Sequence, residues 1–216
     1  MTIPARANPR RCGDRGWLVD ITTGDPGTWA RELRAQSWAP DLVEDVVPSD
    51  TSVLVVAKLA SGMDDVHRGI ASMPCAPSAE PSAGRSEKAS HTVTIPVRYD
   101  GCDLAEVARH LGLSQQRVVD LHTCGTYSVG FFGFAPGFAY LRGLAAPLHL
   151  PRRADPRTRV DAGAVAIAGG YSVIYPGQTP GGWHIIGSTE LVLWNSDDDP
   201  PNRLDVGDVV RFEAAT

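Results

Sequence analysis

Four arginines lie close together in the second half of the chain: Arg152, Arg153, Arg157 and Arg159. One acidic residue, Asp155, lies among them, which leaves three net positive charges in a chain whose net charge is −5. A guanidinium group can donate two parallel hydrogen bonds to a carboxylate or a phosphate. The cluster therefore indicates an anion site or an interface with an acidic partner. The plainer alternative is a solvated loop whose arginines pair with acids elsewhere in the chain.

A loop of glycine, proline and aromatic residues precedes the arginines. Residues 133–138 read GFAPGF, and Tyr140 follows two positions later. Gly137 permits backbone conformations closed to other residues and the proline restricts its neighbours, so the loop holds its rings in a defined place. Rings on such a loop either pack inward or form a contact surface. The candidates for that surface are Phe134, Phe138 and Tyr140.

Two of the six histidines, His122 and His184, are the candidates for proton transfer near these elements, because imidazole titrates near neutral pH. Each of them alone is more often structural than catalytic. His122 and Cys124 come nearest to a metal-ligand spacing, and two ligands do not make a site. The sequence has no nucleophile elbow, no phosphate-binding loop and no HExxH zinc motif. We therefore predict no metal and no complete catalytic set in this chain.

The composition is that of an ordinary globular protein. At 216 residues with 43% apolar side chains, the chain can form one large domain or two small ones. No apolar run approaches the roughly 18 residues of a membrane span, and no apolar segment follows the N-terminal arginines, so neither a membrane helix nor a secretory signal is predicted. The cysteines, at positions 12, 75, 102 and 124, lack CxxC spacing and are expected to be free thiols in the cytoplasm. Neither half of the chain is basic, which argues against nucleic-acid binding.

The N-terminal part alternates strands and helices. Residues 1–14 are predicted to form a tail. Asp25 as N-cap and Pro26 at the first helical position predict a helix that runs to residue 37 or 38. Strands are expected at 17–21, 43–47 and 52–57, and a second helix at 64–73. The order βαββα predicts an α+β domain over residues 1–73, ferredoxin-like or related.

Residues 74–91 change character abruptly. They read PCAPSAEPSAGRSEKASH, without a single valine, isoleucine, leucine or aromatic residue. Such a composition cannot bury enough apolar surface to offset the entropy of ordering the chain. We interpret this stretch as a flexible linker, and residues 92–216 as a second domain.

The second domain opens with a strand and two helices. Residues 92–99 alternate strictly, and Pro96 predicts an edge strand or a bulge, because proline cannot donate to a ladder. Gly112 ends the first helix and Ser114 caps the second. The pair resembles a DNA-binding helix-turn-helix, but residues 102–123 carry a net charge of −1. Two helices packed against a β-domain is the preferred interpretation.

From residue 126 onward the pattern is that of short strands. They are expected at 127–132, 164–168, 172–175, 184–188, 191–194 and 209–213. Glycine and proline turns separate them, which is typical of a barrel or a sandwich. More than half of the 22 glycines lie between residues 125 and 189, around the aromatic loop and the arginines. We expect the function to reside in this stretch.

Several long strings in the same stretch resemble a known family. GFAPGFAYLRGL, LPRRADPRTRVDAGAVAIAGG, IYP and PGGWHIIG follow one another between residues 133 and 187. With LHT before them and GDVVRF after them, they resemble the allophanate hydrolase subunit 1 family, which is also called the Kip inhibitor family or the family of the 5-oxoprolinase B subunit. The match is dense from about residue 118 to residue 189 and extends more loosely over nearly the whole chain.

The resemblance implies a fold, a reaction and partners. The fold is an N-terminal α+β domain followed by a cyclophilin-like β-barrel. The reaction is the ATP-dependent opening of 5-oxo-L-proline to L-glutamate, carried out with allophanate hydrolase subunit 2 (the homologue of the 5-oxoprolinase C subunit) and a third 5-oxoprolinase component. ATP is used by the complex, and its contact with this chain is left open. Two alternatives also stay open: an allophanate hydrolase subunit 1-type amidohydrolase, and a non-catalytic module that inhibits a histidine kinase.

On the enzymatic interpretation, the aromatic loop and the arginine segment line a cleft completed by subunit 2. Substrate contacts are then expected from Arg152, Arg157, Arg159, Phe134, Gly137 and Phe138, and catalytic roles from His122, His184 and Tyr140. The arginines would hold a carboxylate or a phosphorylated intermediate, a histidine would move protons, and the tyrosine would position the substrate. A third interpretation is that the same loop and arginines, Arg153 among them, only build the interface with subunit 2.

The chain departs from the family pattern beside the candidate site. The family often has GRT where this chain has GST at residues 187–189, so an arginine is missing there. It usually has YLGGLD, where Arg142 and Ala145 stand here. It commonly has GGxQTGIYP, where residues 171–173 read YSV here. These changes bear on the identity of the substrate more than on the fold.

Overall fold

In the computed structural model, which describes residues 8–73 and 91–215, the chain divides into two units, Met1–Lys88 and Ala89–Thr216. The division falls inside the predicted linker. Residues 74–90 of that linker lie outside the described residues, so its flexibility stays a prediction. No helix in the described part of the chain is long and apolar enough to cross a membrane.

The first unit is a four-stranded antiparallel sheet with helices. Its elements are β1 (Arg10–Cys12), β2 (Gly16–Asp20), α1 (Pro26–Arg34), α2 (Ala39–Leu42), β3 (Val43–Pro48), β4 (Ser52–Ala57), a short 3-10 helix (Ala60–Gly62) and α3 (Met63–Ser72). The strands lie in the order β1-β2-β4-β3. Trp29 and Leu33 of α1 and Ile70 of α3 share a buried cluster with Val53 and Val55 of β4. The α+β character predicted for this part of the chain is confirmed.

Two local predictions in this unit are wrong. Residues 10–12 form β1 rather than a tail, because a turn at Gly13 (φ 72°) folds them back onto β2, where Arg10 pairs with Asp20 at 2.9 Å. The first helix ends at Arg34 and not at residue 37 or 38. Its predicted start is confirmed, since the side chain of Asp25 accepts a hydrogen bond from the Thr28 amide at 2.7 Å.

The second unit holds most of the strands. Its elements are β5 (Thr92–Val97), α4 (Leu104–Leu111), α5 (Gln115–Thr123), β6 (Tyr127–Phe132), β7 (Ala139–Arg142), a 3-10 helix (Ala146–Leu148), β8 (Arg157–Val160), β9 (Ala164–Ala168), β10 (Tyr171–Ile174), β11 (Thr179–Gly181), β12 (His184–Ser188) and β13 (Val209–Ala214). Seven strands lie in one sheet in the order β12-β9-β10-β7-β6-β13-β5, and β8 pairs separately with β11. The helix signals were correct: Gly112 adopts φ 66° at the end of α4, and Ser114 caps α5.

The seven-stranded sheet curls until its two ends nearly meet. Arg98, directly after β5, and Ser188 of β12 each donate a backbone N–H to the other's carbonyl oxygen at 2.8 Å. A sheet joined at its edges is a barrel and leaves few unpaired backbone groups. The prediction of a mostly-β barrel is therefore confirmed. Pro96 lies exposed on β5, the last strand of the sheet order, as its missing N–H requires.

The strand predictions after residue 126 were incomplete. Strands β7, β8 and β11 were missed; β8 and β11 contain arginines, threonines and glycine rather than an apolar run. The strand predicted at 191–194 is wrong. There the carbonyl of Leu193 accepts from the Arg203 amide at 2.9 Å, and only Trp194 forms an isolated bridge, with Asn202. This segment is a loop, and its apolar residues are explained by the Leu193 side chain, which packs in the core.

Candidate functional site

The loop at residues 133–138 joins β6 to β7 and is held by its own backbone. The Gly133 amide donates to the Phe138 carbonyl at 3.1 Å, and the Phe138 amide to the Ala135 carbonyl at 3.0 Å. Phe134 has φ 73°, the only positive φ of a non-glycine residue in the described part of the chain, and it is 65% exposed. A phenylalanine in the left-handed region is strained, and strain of this kind collects at functional loops.

Gly137 and Phe138 anchor this loop to the barrel. Gly137 has φ 73°, and a Cβ added to it would lie 2.3 Å from the Cβ of Trp194, so only glycine fits. Phe138 is 1% exposed. Both alternatives foreseen for the loop aromatics therefore occur together: one ring packs inward and one faces solvent.

Behind the loop lies an aromatic cluster, formed by Phe131, Phe134, Phe138, Tyr140, Tyr171, Tyr175 and Trp183. The rings of Tyr140 and Phe131 stack with their centroids 4.3 Å apart. Two arginines face the cluster, with Arg142 5.9 Å from the Phe131 ring centroid and Arg152 5.4 Å from that of Trp183. Arginine over an aromatic face is attracted by the ring quadrupole. Tyr140 and Arg152 therefore share a neighbour, since the Tyr140 ring centroid also lies 5.8 Å from that of Trp183.

Two arginines of the segment are bound by a buried carboxylate that the sequence interpretation missed. Asp103, 2% exposed, accepts from Arg157 Nη2 at 2.6 Å, from Arg153 Nη1 at 3.0 Å and from the Ile185 amide at 2.7 Å. Burial alone would raise the pKa of Asp103, but the hydrogen bonds from Arg157 and Ile185, with the two guanidinium charges, outweigh it and lower the pKa. We call this group, Asp103 with Arg153 and Arg157, the aspartate latch.

The remaining two arginines differ from each other. Arg159 is exposed and pairs with Asp161 at 3.1 Å. Arg152 has no carboxylate partner among the described residues and lies against Trp183. Burial raises the pKa of Tyr175, and the positive charges of Arg152 and Arg157 oppose that shift. The alternative in which the arginines pair with acids elsewhere therefore holds for three of the four, and Arg152 is the one available to an external anion.

His122 lies in the core of the second unit and not beside the other candidates. It has no exposed surface, its Nδ1 contacts the Tyr99 hydroxyl at 2.7 Å, and its Nε2 contacts the Ser172 hydroxyl at 2.9 Å. Burial lowers the pKa of His122 to about 3. A ring that is neutral, enclosed and bonded at both nitrogens serves structure, and it is not positioned to reach a substrate.

His184 is placed differently, at the start of β12 and on the wall of a surface pocket. Its Nε2 lies 2.9 Å from the Pro151 carbonyl oxygen, and the ring is partly exposed. The pocket has a volume of about 260 Å³ and is also lined by Arg152 and Arg153. Of the two predicted proton carriers, only His184 is therefore near the arginine segment.

Neither the Gly169–Gly170 turn nor the arginine segment supplies a cradle for the phosphates of ATP. The turn at Gly169 and Gly170 has no free amide to offer at its first glycine, because the Gly169 N–H donates to the Leu150 carbonyl at 2.7 Å. Two of the four clustered arginines are bound in the aspartate latch. Phosphate cradles need several converging amides or unpaired cations. No step is therefore assigned to ATP on this chain. Among the described residues, no three histidine, cysteine, aspartate or glutamate side chains lie together as a metal would need.

Comparison with known proteins identifies the family. A family model described as carboxyltransferase domain, subdomain C and D, matches residues 7–204. The chain belongs to this family. It is similar to the B subunit of 5-oxoprolinase from Escherichia coli O157:H7, with 50% identity over 129 residues, and to that from Bacillus subtilis (strain 168), with 46% identity over 123 residues. The resemblance seen in the sequence motifs is thereby confirmed.

These matches cover only part of each protein. The aligned stretches span 58% and 56% of this chain, and 59% and 51% of the two relatives, so the chain matches little more than half the length of either. Among solved structures, the protein TTHA0988 matches 94% of this chain with a TM-score of 0.75 and 33% identity, over 40% of its own chain. The urea amidolyase of K. lactis matches 97% with a TM-score of 0.65 and 19% identity, over 15% of its own chain, which shows a shared fold alone.

Proposed function

We propose that this chain is the B-type subunit of a 5-oxoprolinase, which hydrolyses 5-oxo-L-proline to L-glutamate. In that reaction the ring C–N amide bond breaks, and water supplies a hydroxyl to the carbonyl carbon and a proton to the nitrogen, coupled to ATP hydrolysis by the complex. One observation carries the proposal: three curated relatives, 43–50% identical over aligned stretches of 123–129 residues, are all named as the B subunit of 5-oxoprolinase.

Within this chain, the proposed substrate face is the surface around Arg152, His184 and Tyr140. Arg152 is the clustered arginine that keeps its hydrogen-bond donors for a substrate carboxylate. His184, predicted from the sequence as a proton carrier, is the imidazole on the adjacent pocket wall. Arg157 would act indirectly, because its ion pair with Asp103 holds the arginine segment in place. Arg159, paired with Asp161, and the buried His122 are left out of the proposed site.

We propose that the remaining chemical groups, and the ATP site, are supplied by a subunit 2 partner (a homologue of the 5-oxoprolinase C subunit) and a third component of the complex. The support is that this face holds an arginine, an imidazole and a phenol without a nucleophile–base pair. Phe134 supports a contact with the partner, because a strained and 65% exposed aromatic ring is an expected interface anchor. A cytoplasmic location, consistent with free thiols at Cys12, Cys102 and Cys124, is part of the same proposal.

For the fold, we propose that the two units are ferredoxin-like and cyclophilin-like. In the first unit, strands β2, β3 and β4 with α1 and α3 follow the βαββα order, and β4 lies between β2 and β3. That is the central arrangement of a ferredoxin-like sheet, with β1 at the outer edge where such a sheet has its last strand. The nearly closed barrel with two helices supports the second assignment.

A coupled assay tests the proposed activity. The chain is co-expressed with its candidate partner subunits, and release of glutamate and phosphate from 5-oxo-L-proline plus ATP is followed with and without it. Turnover that needs this chain is expected. In the assembled complex, Arg152→Gln should lower kcat/KM by about tenfold or more, because a charge-assisted hydrogen bond is lost. The matched control is Arg117→Gln, which removes an exposed arginine from helix α5. A stable complex that does not turn over 5-oxo-L-proline would refute the proposed substrate.

A further inference from the structure

The surface pocket beside the arginine segment has a charged lining. It lies between helix α4 and residues 150–155, and its titratable residues are Glu106, His110, Arg152, Arg153, Asp155 and His184. Its volume of about 260 Å³ is below the range of pockets for drug-sized ligands, and it suits a molecule of a few heavy atoms more than a nucleotide. Charged side chains that already have a partner within the protein are not available to a ligand, so the unpaired charges determine which ligand the pocket could hold.

One cation and one anion of this lining are not neutralised. Arg153 is bonded to Asp103 at 3.0 Å and to Glu106 at 3.4 Å, and Arg157 is bonded to the same Asp103, so the charges of these four side chains sum to zero. The guanidinium carbon of Arg152 lies over the Trp183 ring, 5.4 Å from its centroid, and a ring takes no hydrogen bond of the kind that a carboxylate accepts. Within the described ranges, neither Arg152 nor Asp155 has an ion-pair partner. Both are exposed.

Two further polar atoms of the lining residues have no partner. The Pro151 carbonyl can only accept, so His184 Nε2 donates to it, and the second ring nitrogen is Nδ1. That Nδ1 is buried and unpaired, as is Nε of Arg153. Buried polar atoms without partners are rare in folded proteins, and where they occur they call for a functional explanation. Both atoms belong to residues that line the pocket.

We propose that this pocket binds a small zwitterion of the α-amino-acid class. Arg152 pairs with the carboxylate of the ligand and Asp155 with its ammonium group. L-Glutamate belongs to this class, whereas 5-oxo-L-proline lacks the ammonium group because its nitrogen is part of the lactam. Both molecules can place a carboxylate on Arg152, but only the ring-opened product also pairs with Asp155, so the pocket favours the product over the cyclic amide. The choice of L-glutamate rests on the proposed function; the class of ligand rests on the lining charges.

Calorimetric titration of the purified full chain, without ATP or partner subunits, tests the proposal. The probes are L-glutamate, glutarate, which lacks the ammonium group, and 5-oxo-L-proline, each at millimolar concentration. L-Glutamate should bind about tenfold more tightly than either of the other two, since loss of one charge-assisted hydrogen bond has about that effect. Asp155→Asn should weaken L-glutamate binding to the level of glutarate. Arg152→Gln should weaken both, and Arg152→Lys should restore part of the loss.

Two matched variants serve as controls. Arg117→Gln and Asp161→Asn remove an exposed charge of each sign outside the pocket and should change binding less than twofold, on the order expected for distant surface charges. Equal binding of L-glutamate and glutarate, unchanged binding in Asp155→Asn, or no binding of L-glutamate would overturn the proposal. Because the titration needs neither partner nor ATP, its failure is separate from a failure of turnover in the coupled assay.

Discussion

At the scale of single residues, Asp103 makes the hydrogen bonds that hold the arginine segment of the candidate site in place. It is buried, and it accepts hydrogen bonds from two arginines that lie 50 and 54 residues further along the chain. Asp103→Asn should lower the free energy of unfolding by about 2–4 kcal/mol, because two guanidinium groups then face a neutral amide. Urea denaturation at neutral pH measures this. Asp161→Asn, which breaks the exposed pair with Arg159, is the control and should cost less than about 0.5 kcal/mol.

The aspartate latch also predicts a pH dependence. The pKa of Asp103 is lowered in the folded state, so its contribution is complete above the unfolded pKa of about 4 and is lost as the pH falls through the folded pKa. The difference in unfolding free energy between wild type and Asp103→Asn should therefore stay constant above about pH 5 and shrink below it. Denaturation curves at several pH values between neutrality and acid measure the difference. A gap that widened toward acid would contradict the assignment of the ionised carboxylate.

His122 predicts a second pH dependence of stability, which begins at a higher pH than that of Asp103. Its pKa in the fold is about 3, well below the unfolded value near 6.5, so the unfolded chain binds a proton that the folded chain excludes. Stability from this residue is complete above about pH 6.5 and falls as the pH is lowered toward the folded pKa. Between pH 7 and pH 5, wild type should lose about 2 kcal/mol more than His122→Gln does. Urea denaturation at the two pH values measures this.

The control for this prediction keeps the histidine and removes one of its partners. Tyr99→Phe deletes the hydroxyl that contacts Nδ1, so it should cost about 1 kcal/mol at pH 7 and leave the loss between pH 7 and pH 5 in place. If Tyr99→Phe removed the pH dependence while His122→Gln kept it, the buried imidazole would not be its source.

At the scale of elements, the aromatic loop between β6 and β7 depends on one glycine. Gly137→Ala adds a methyl group 2.3 Å from the Cβ of Trp194 at a φ of 73°, so it should lower the unfolding free energy by about 3 kcal/mol or more. Gly169→Ala is the matched control, because its φ is 58° and nothing lies within 4 Å of the added carbon. It should cost only about 1 kcal/mol. Thermal unfolding of both variants measures the difference, and equal losses would show that the contact with Trp194 does not position the loop.

Sequence signals correctly predicted those features of helices and strands that depend on a single residue type. The N-cap Asp25, the helix-ending Gly112 and the edge-strand Pro96 all appear where the residue types require them. Strands β8 and β11 were missed, because they pair only with each other and do not carry a buried apolar alternation. Where a strand is stabilised by pairing rather than by burial, a pattern of apolar residues does not reveal it.

The carboxylate that binds the arginine segment could not be predicted from neighbouring residues in the sequence. The arginine segment was recognised as a unit, yet the carboxylate that binds it lies at the start of α4. An aspartate directly before an apolar helix is typical of an N-cap, and a capping role would account for an aspartate at this position. In the structure Asp103 makes no such capping bond with its side chain and turns instead to the Ile185 amide and the arginines. Pairing over some 50 residues depends on the closed barrel and not on neighbours in the chain.

At the scale of the whole molecule, each unit has its own apolar core. A cluster that includes Trp29 and Ile70 stabilises the first unit. Two clusters stabilise the second, one around Tyr127 and Phe212 and one around Phe138. A unit that holds its own core and closes its own sheet meets the physical conditions for folding by itself. The arginine segment, the aspartate latch and the pocket all lie within the second unit.

We therefore expect residues 89–216 to fold when expressed without the first unit. The fragment should unfold in one cooperative transition, with a melting temperature within about 5 °C of the corresponding transition in the full chain. Near-ultraviolet circular dichroism should retain the signal of Trp183, which is 5% exposed among the packed rings. The Asp103→Asn variant of the fragment should lose as much stability as it does in the full chain, because every partner of that carboxylate lies in the second unit. A fragment that showed no cooperative transition would mean that the barrel needs the first unit to fold.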